Sequence, residues 1–460
     1  MNIRRSLLQL VGGRLTAMED IEHFDAKGER ARLFPVLAES SKEGRTLSIF
    51  LATLAQVPEF GASMLNAIGR RHGARTKIET FTEITFPKRK GDKLRPDGLI
   101  VVSTGKATWS AFVEAKIGNA CLNQPQIEAY LRLAKETGVD ALITITNEFA
   151  PLPEHHPISV DRRLLKNVEL LHFSWFSLLT AINLLDLGGE VEDSDHLFLL
   201  RELARFFDHP SAGLKRFDSM GTEWTAVIDR LRSGSSVSKS SPEALGVVAN
   251  WHSELRDLSL LLSRETGAPA ELKLAPRHRA DPRERIQSDA KELAEKCRLS
   301  ATITVPDTAA PIDLEVDLST RTIRVSMKLE APKDKAQQRS RVNWLLRQLK
   351  DTDGDQITIL ANWPGRAPQT ASTLSEARED EQRHSHPDKS VVPSSFVVMM
   401  IMADGRRFSG RRTFVESLET LVVTEFYGTI AQQLTPWRAP APKLRSSTDS
   451  EDEPEAEISD

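Results

Sequence analysis

Cysteine is nearly missing from this sequence: only Cys121 and Cys297 occur in 460 residues. They are far apart and lack the Cys-x-x-Cys or Cys/His spacing of a zinc site. Neither a disulfide framework nor structural zinc is expected, and a reducing, cytoplasmic location fits. Long apolar runs are missing too. The longest, residues 396–402, falls far short of the ~20 residues of a membrane span, so no membrane association is expected. Near the start, Arg4 and Arg5 precede a short apolar stretch broken by Gln9, without a small-residue cleavage site, and no secretory leader is expected. The patterns G-x-x-x-x-G-K-[ST], G-x-G-x-x-G and G-x-S-x-G do not occur. This disfavours a built-in ATP motor, a dinucleotide oxidoreductase and a serine hydrolase.

What remains is an ordinary globular composition, 40% hydrophobic and 27% charged, long enough for two or three domains. The net charge of −4 is unevenly spread. Residues 446–460 hold seven acids and no base, so the rest of the chain stands at +3. Between residues 70 and 116, eleven Lys/Arg face five Asp/Glu, a basic stripe suited to a polyanion. The Gly/Ser-rich segment 233–242 reads as a linker after a first domain, 1–232. A second domain spans 243–435, and the Pro-rich, acidic residues 436–460 are expected to form a disordered tail.

Hydrophobic spacing predicts two helical pieces over 46–68, broken at Pro58, and strands over 77–86, 97–102 and 108–117. A helix over 125–136 ends at Gly138, followed by a strand over 140–146 buried on both faces, another over 168–173 and a helix over 175–185. The fold class is therefore α/β, a mixed sheet with helices on both faces.

Side chains two apart on a strand point the same way, so Glu114 and Lys116 share a face opposite Val113, Ala115 and Ile117. A hairpin with the preceding strand can bring Asp97 beside Glu114. Two carboxylates converging with a lysine suit a divalent metal and a phosphodiester: acids hold the ion, and the lysine positions or deprotonates water. Taken alone, Glu114 and Lys116 can equally be a strand-surface ion pair.

Pro96-Asp97 followed by Glu114-Ala-Lys116, between a helix and a helix carrying Gln126-Ile-Glu-Ala-Tyr130, resembles the PD-(D/E)xK nuclease superfamily. Its lambda-exonuclease and RecB-type branches have a Gln-x-x-x-Tyr pair facing the active site. The resemblance covers about residues 35–185 and implies a restriction-endonuclease-like fold. It implies catalytic roles for Asp97, Glu114, Lys116, Gln126 and Tyr130. A further helix-borne glutamate matches Glu43, which can equally be a helix N-terminal acid; Glu79 and Glu83 are alternatives. Metal ligands would be Asp97, Glu114 and Glu43, the cofactor Mg²⁺ with Mn²⁺ able to substitute, and the substrate DNA. The competing expectation is a silent nuclease fold acting as a DNA-binding or regulatory module in a defence or stress pathway.

The second domain reads as α+β, with strands over 301–305, 312–317, 322–329, 357–361 and 396–402, and helices over 336–349 and 413–433. It is expected to serve substrate or protein-partner recognition. His155, His156, His384 and His386 lie beside prolines and read as exposed loop residues. Arg339, Arg341, Arg347, Arg406, Arg407, Arg411 and Arg412 read mainly as solvated surface.

Lys88, Arg89, Lys90, Lys93 and Arg95 lead directly into Asp97 and are expected to hold the DNA backbone. Neutralising all five should weaken DNA binding alike on every sequence and flatten its log–log salt slope by about 0.9 for each phosphate no longer neutralised. An unchanged slope in a salt titration would place the nucleic acid elsewhere.

Overall fold

The computed structural model describes residues 18–35, 41–87, 94–105, 107–150, 152–403 and 405–439. Lys88, Arg89, Lys90 and Lys93, and residues 440–460 of the expected tail, lie outside them. The chain is α/β, with a seven-stranded mixed sheet and a second, antiparallel sheet. The first sheet runs in chain order through β1 (Glu19–Ile21), β2 (Ala26–Arg30), β3 (Thr76–Thr85), β4 (Gly98–Thr104), β5 (Ala107–Ala115), β6 (Ala141–Thr146) and β7 (Glu169–Ser174). Pairing is antiparallel up to β5, then parallel from β5 to β6 and β6 to β7. A parallel step needs a crossover. The first is made by α3 (Gln124–Thr137), after α1 (Lys42–Gln56) and α2 (Pro58–Ala67) earlier in the chain.

Two apolar layers cover the sheet. On one face Leu47 and Phe50 of α1 and Phe60 of α2 pack with Val113, Ile143 and Ile145, joined by Trp175 and Leu178 of α4 (Trp175–Gly188) and Leu200 of α5 (Ser194–Asp208). On the other, Ile127 and Leu131 of α3 pack on Phe81, Leu99, Phe112 and Leu142. Strand β6 therefore sends alternate residues into both layers, which explains its nearly continuous apolar run. Local signals set the helix ends. Pro58 starts α2, the Asn123 side chain accepts from the Gln126 N–H, and Gly138 closes α3 at φ 75°.

The segment 233–242 is a loop, but it does not divide the chain into domains. It joins α6 (Thr222–Arg232) to the 25-residue α7 (Pro242–Thr266), and these helices pack on one another. Trp224, Val227, Val247, Val248 and Trp251 are buried, as is Val237 within the loop itself. Composition marked a turn correctly and a domain boundary wrongly, because apolar burial on both sides makes one core. The chain instead divides into Met1–Met327 with Met399–Gln433, and Lys328–Val398 with Leu434–Asp460.

The first unit contains α8 (Pro282–Lys296) and the antiparallel strands β8 (Glu271–Leu272), β9 (Arg298–Thr304) and β10 (Ile312–Asp317). Strand β11 (Thr322–Glu330) pairs with β10 and runs across the division. The second unit holds α9 (Gln338–Gln348) and the antiparallel pair β12 (Ile357–Asn362) and β13 (Thr370–Thr373). Strand β14 (Ser395–Ala403) again crosses the division, and α10 (Arg411–Glu419) returns to the first unit, where it loosens into a π-helix, Thr420–Tyr427.

Of the four histidines expected in exposed loops, His155 and His384 are buried and His156 and His386 are half-buried. His384 is buried between Thr370 and Ser372, and buried His155 meets the Arg279 carbonyl at 2.7 Å. His156 and His172 flank Thr144, whose hydroxyl lies 2.9 Å from His156 Nε2 and 2.8 Å from His172 Nδ1. The Ile158 N–H donates to His156 Nδ1, and His172 Nε2 reaches the Glu148 carbonyl at 2.8 Å. These partners assign neutral tautomers to both rings: His156 Nε2–H donates to Thr144, and the Thr144 hydroxyl donates to His172 Nδ1. Burial accordingly pushes His156 down to about 4 and His172 to about 3, from an ordinary 6.5.

A chain nicked by protease between residues 233 and 241 should elute as one particle, because α6 and α7 hold the pieces together; release of two folded fragments would contradict this packing. The buried histidines make a second, independent prediction. Both are neutral when folded and take up protons near pH 6.5 when unfolded. Stability is therefore complete above about pH 6.5 and is lost as pH falls through about 4 and 3. His156→Gln should flatten that decline in melting temperature, and an unchanged profile would place the sensitive groups elsewhere.

Candidate active site

Strand pairing brings the predicted residues together. Gly98 on β4 is opposite Val113 on β5, so Asp97 at the mouth of β4 stands beside Glu114. The Ala115 N–H donates to Asp97 Oδ2 at 2.9 Å, fixing one carboxylate oxygen against the β5 backbone. Gly98 permits this approach: a Cβ there would come within 2.9 Å of Leu51 and 3.2 Å of the Phe81 carbonyl.

Glu114 is the innermost group, its side chain 1% exposed. Its Oε1 accepts from Lys116 Nζ at 2.7 Å and from Gln126 Nε2 at 2.9 Å. Its Oε2 is buried with no hydrogen-bond partner. Lys116 also donates to Glu43 Oε1 at 3.1 Å and to the Ala115 carbonyl at 2.8 Å. On α3, Gln126 and Tyr130 share one face as their i, i+4 spacing requires. Gln126 Nε2 lies 3.2 Å from the Tyr130 hydroxyl, which donates to the Arg95 carbonyl at 3.0 Å. Behind the cluster, Trp175 Nε1 donates to the Lys116 carbonyl at 2.8 Å.

The electrostatics show an excess of negative charge. Burial, and then the neighbouring Glu114 carboxylate, push Asp97 up to about 8; the Ala115 N–H and the Lys116 ammonium only partly offset this. Burial opposes charge on Lys116, but Glu114, Asp97 and Glu43 outweigh it and hold its proton affinity above the ordinary value. Lys116 is therefore an ammonium. In that state it can orient water or donate to a phosphate oxygen. Burial and then Glu114 raise Tyr130 to about 12, leaving it a neutral hydroxyl.

The other expected residues are placed as follows. Glu43 sits in the first turn of α1 and is engaged by Lys116. Glu79 is paired with Arg30 and Lys77, away from the cluster. Arg95, expected to hold the DNA backbone, is half-exposed and pairs with Glu83. The C-terminal arginines serve the fold in several places: Arg341 donates to the Lys335 and Pro393 carbonyls, Arg411 to the Met220 carbonyl, and Arg339 pairs with Glu381.

A second acidic group was not foreseen. Glu254 and Asp257 on α7 and Glu419 at the end of α10 offer carboxylate oxygens within 4.8 Å of one another and can hold a metal ion. Arg216 pairs with two of them, 3.0 Å from Asp257 Oδ2 and 2.6 Å from Glu419 Oε1. Both Glu254 oxygens and Asp257 Oδ1 are buried without hydrogen-bond partners. Burial raises Glu254 well above the ordinary carboxylate range, and raises Asp257 to about 7 against the opposing pull of Arg216. The available sequence signal is a pair of acids, i and i+3, beside the apolar stripe of Trp251, Leu255, Leu258 and Leu262. Such a pair is ordinary on a helix surface, and its third member, Glu419, lies far along the chain.

Compared with known proteins, the chain matches no family model, no curated protein and no solved structure.

Proposed function

We propose that the first sheet and its helices form a restriction-endonuclease-like core, and that the protein is a Mg²⁺-dependent nuclease cleaving DNA phosphodiester bonds. The observation that carries this reading is the charge imbalance at Glu114. A carboxylate oxygen without a partner, beside a second carboxylate with raised proton affinity, is a donor set that suits a hard divalent cation. The order of elements supports it: a helix, three antiparallel strands, a helix and a parallel strand, with Asp97, Glu114-Ala-Lys116 and Gln126/Tyr130 on the elements where the superfamily resemblance puts them.

Asp97 and Glu114 would hold the ion. When bound, Mg²⁺ lowers the pKa of a water and neutralises charge developing on the phosphodiester. The chain's own residues supply the rest. Lys116 brings a fixed positive charge to a phosphate oxygen or a water. Gln126 keeps Glu114 in one orientation, and Tyr130 keeps Gln126 in place through its bond to the Arg95 carbonyl. Glu43, expected to be a ligand, is better read as a positioning residue for Lys116, since its Oε1 is engaged by the ammonium. Manganese, with similar oxygen preference, would substitute. A cytoplasmic defence or repair role, with the C-terminal part recognising substrate or a protein partner, fits this chemistry.

A second reading, a silent nuclease fold used for DNA binding or regulation, is favoured by one feature. The three donors of Lys116 have three acceptors in Glu114, Glu43 and the Ala115 carbonyl, leaving none for substrate.

The experiment is cleavage of linear duplex DNA with Mg²⁺, Mn²⁺ or EDTA. Asp97→Asn, Glu114→Gln and Lys116→Met should each lower the rate by about 10²–10⁴-fold. Melting should remain cooperative in all three, because Asp97→Asn and Glu114→Gln relieve repulsion. Cleavage that persists in EDTA, or in Glu114→Gln, overturns the metal mechanism. Binding without cleavage in the wild type establishes the silent reading.

A further inference from the structure

A cavity of about 340 Å³ lies within the first unit, between α2, α4, α7 and β8, apart from the carboxylate–lysine cluster. Its apolar wall includes Phe60, Met64, Leu178, Leu260 and Leu272. Three of the hydroxyls along it are committed within the fold: Ser177 to the Ser174 carbonyl, Thr180 to the Phe176 carbonyl and Ser263 to the Ser259 carbonyl. Both nitrogens of His172 are likewise used.

Arg256 has no such partner. Its guanidinium lines the cavity, its Nε is buried without a hydrogen-bond partner, and among the described residues it forms no ion pair. A guanidinium does not shed its proton in a protein, so an inward-facing one needs an anion. Comparable arginines have one: Arg216 pairs with Asp257 and Glu419, and Arg285 lies 3.6 Å from Asp289. Glu254 and Asp257 adjoin Arg256 in sequence, but positions one and two apart on a helix do not face each other. Burial lowers the proton affinity of Arg256, and the exposed Glu271, which also lines the cavity, partly offsets this through space without forming an ion pair with it.

We propose that this cavity binds a small organic monoanion, its carboxylate paired with Arg256 and its apolar body packed among Phe60, Met64, Leu178 and Leu260. The volume is at the small end of the ~300–1,000 Å³ typical of ligand pockets. The wall is mainly apolar and its charged lining residues, Arg256, Arg279 and Glu271, sum to a single positive charge, which suits a medium-chain or aromatic monocarboxylate. The site requires neither a metal nor the nuclease reading, so its test is separate from that of the proposed function.

The test is calorimetric titration and thermal melting of the full chain with octanoate, octanol, acetate and inorganic phosphate. Octanoate should bind one to one and raise the melting temperature. Octanol, acetate and phosphate should each bind roughly tenfold or more weakly, since each lacks either the charge or the body. Arg256→Met should reduce octanoate binding by a similar factor while folding normally, because it removes an unpaired charge. Ala181→Leu, which fills the cavity without touching the charge, should also reduce it. Absence of octanoate binding, undiminished binding in either folded variant, or phosphate binding as tight as octanoate would each overturn the proposal.

Discussion

A carboxylate almost wholly removed from water must be compensated by hydrogen-bond donors or positive charge. At Glu114 that requirement ties four parts of the fold together. Lys116 reaches it from the end of β5, Gln126 from α3, and Glu43 on α1 shares the same ammonium. Asp97, at the start of β4, is held against the backbone of the next residue, Ala115. Trp175 then anchors the Lys116 carbonyl from α4. Helices on opposite faces of the sheet thus meet at one polar knot, and the compensation remains incomplete because Glu114 Oε2 has no partner. Buried charge this poorly balanced is costly for stability and useful for chemistry, which is why perturbed carboxylates concentrate at functional sites.

The helix α7 repeats the imbalance with both signs. One side carries Glu254 and Asp257 toward Glu419, with Arg216 paired to Asp257 and Glu419. Another side carries Arg256 into an apolar cavity with no ion pair among the described residues. Helical geometry prevents these sequence neighbours from cancelling each other, so each charge must find its complement elsewhere.

Much of the first sheet was legible because its signals are local. Alternation marked β3 and β5, a short apolar run marked β4, the nearly continuous apolar run of 140–146 marked a strand buried on both faces, and Asn123 and Gly138 bracket α3 with an N-cap and a left-handed C-cap. Periodicity, two residues on a strand and four on a helix, put Glu114 with Lys116 and Gln126 with Tyr130; bringing Asp97 and the helix pair to the same place took a hairpin and the superfamily resemblance. The illegible parts depend on contacts distant in sequence. β1 and β2 are short and polar, and gain strand character by pairing at the edge beside β3. The Ser-rich loop 233–242 looked like a domain linker because composition reports local chain flexibility and says nothing of α6 packing on α7. Histidines beside prolines looked exposed, yet Thr144, in register with His172 on the neighbouring parallel strand, draws His156 inward.

By itself the sequence determined the α/β class, the identity and order of the central strands, and which acidic, basic and amide side chains share a face. These follow from backbone periodicity and local capping, which act over a few residues. Only the tertiary structure decided the state of those groups. It made Lys116 a fully engaged ammonium, Glu43 its partner, Asp97 a carboxyl of raised proton affinity, and Arg256 a cation facing an apolar cavity. Ionisation and pairing depend on how much water is excluded and which charges come near, and residues far apart in the chain settle both.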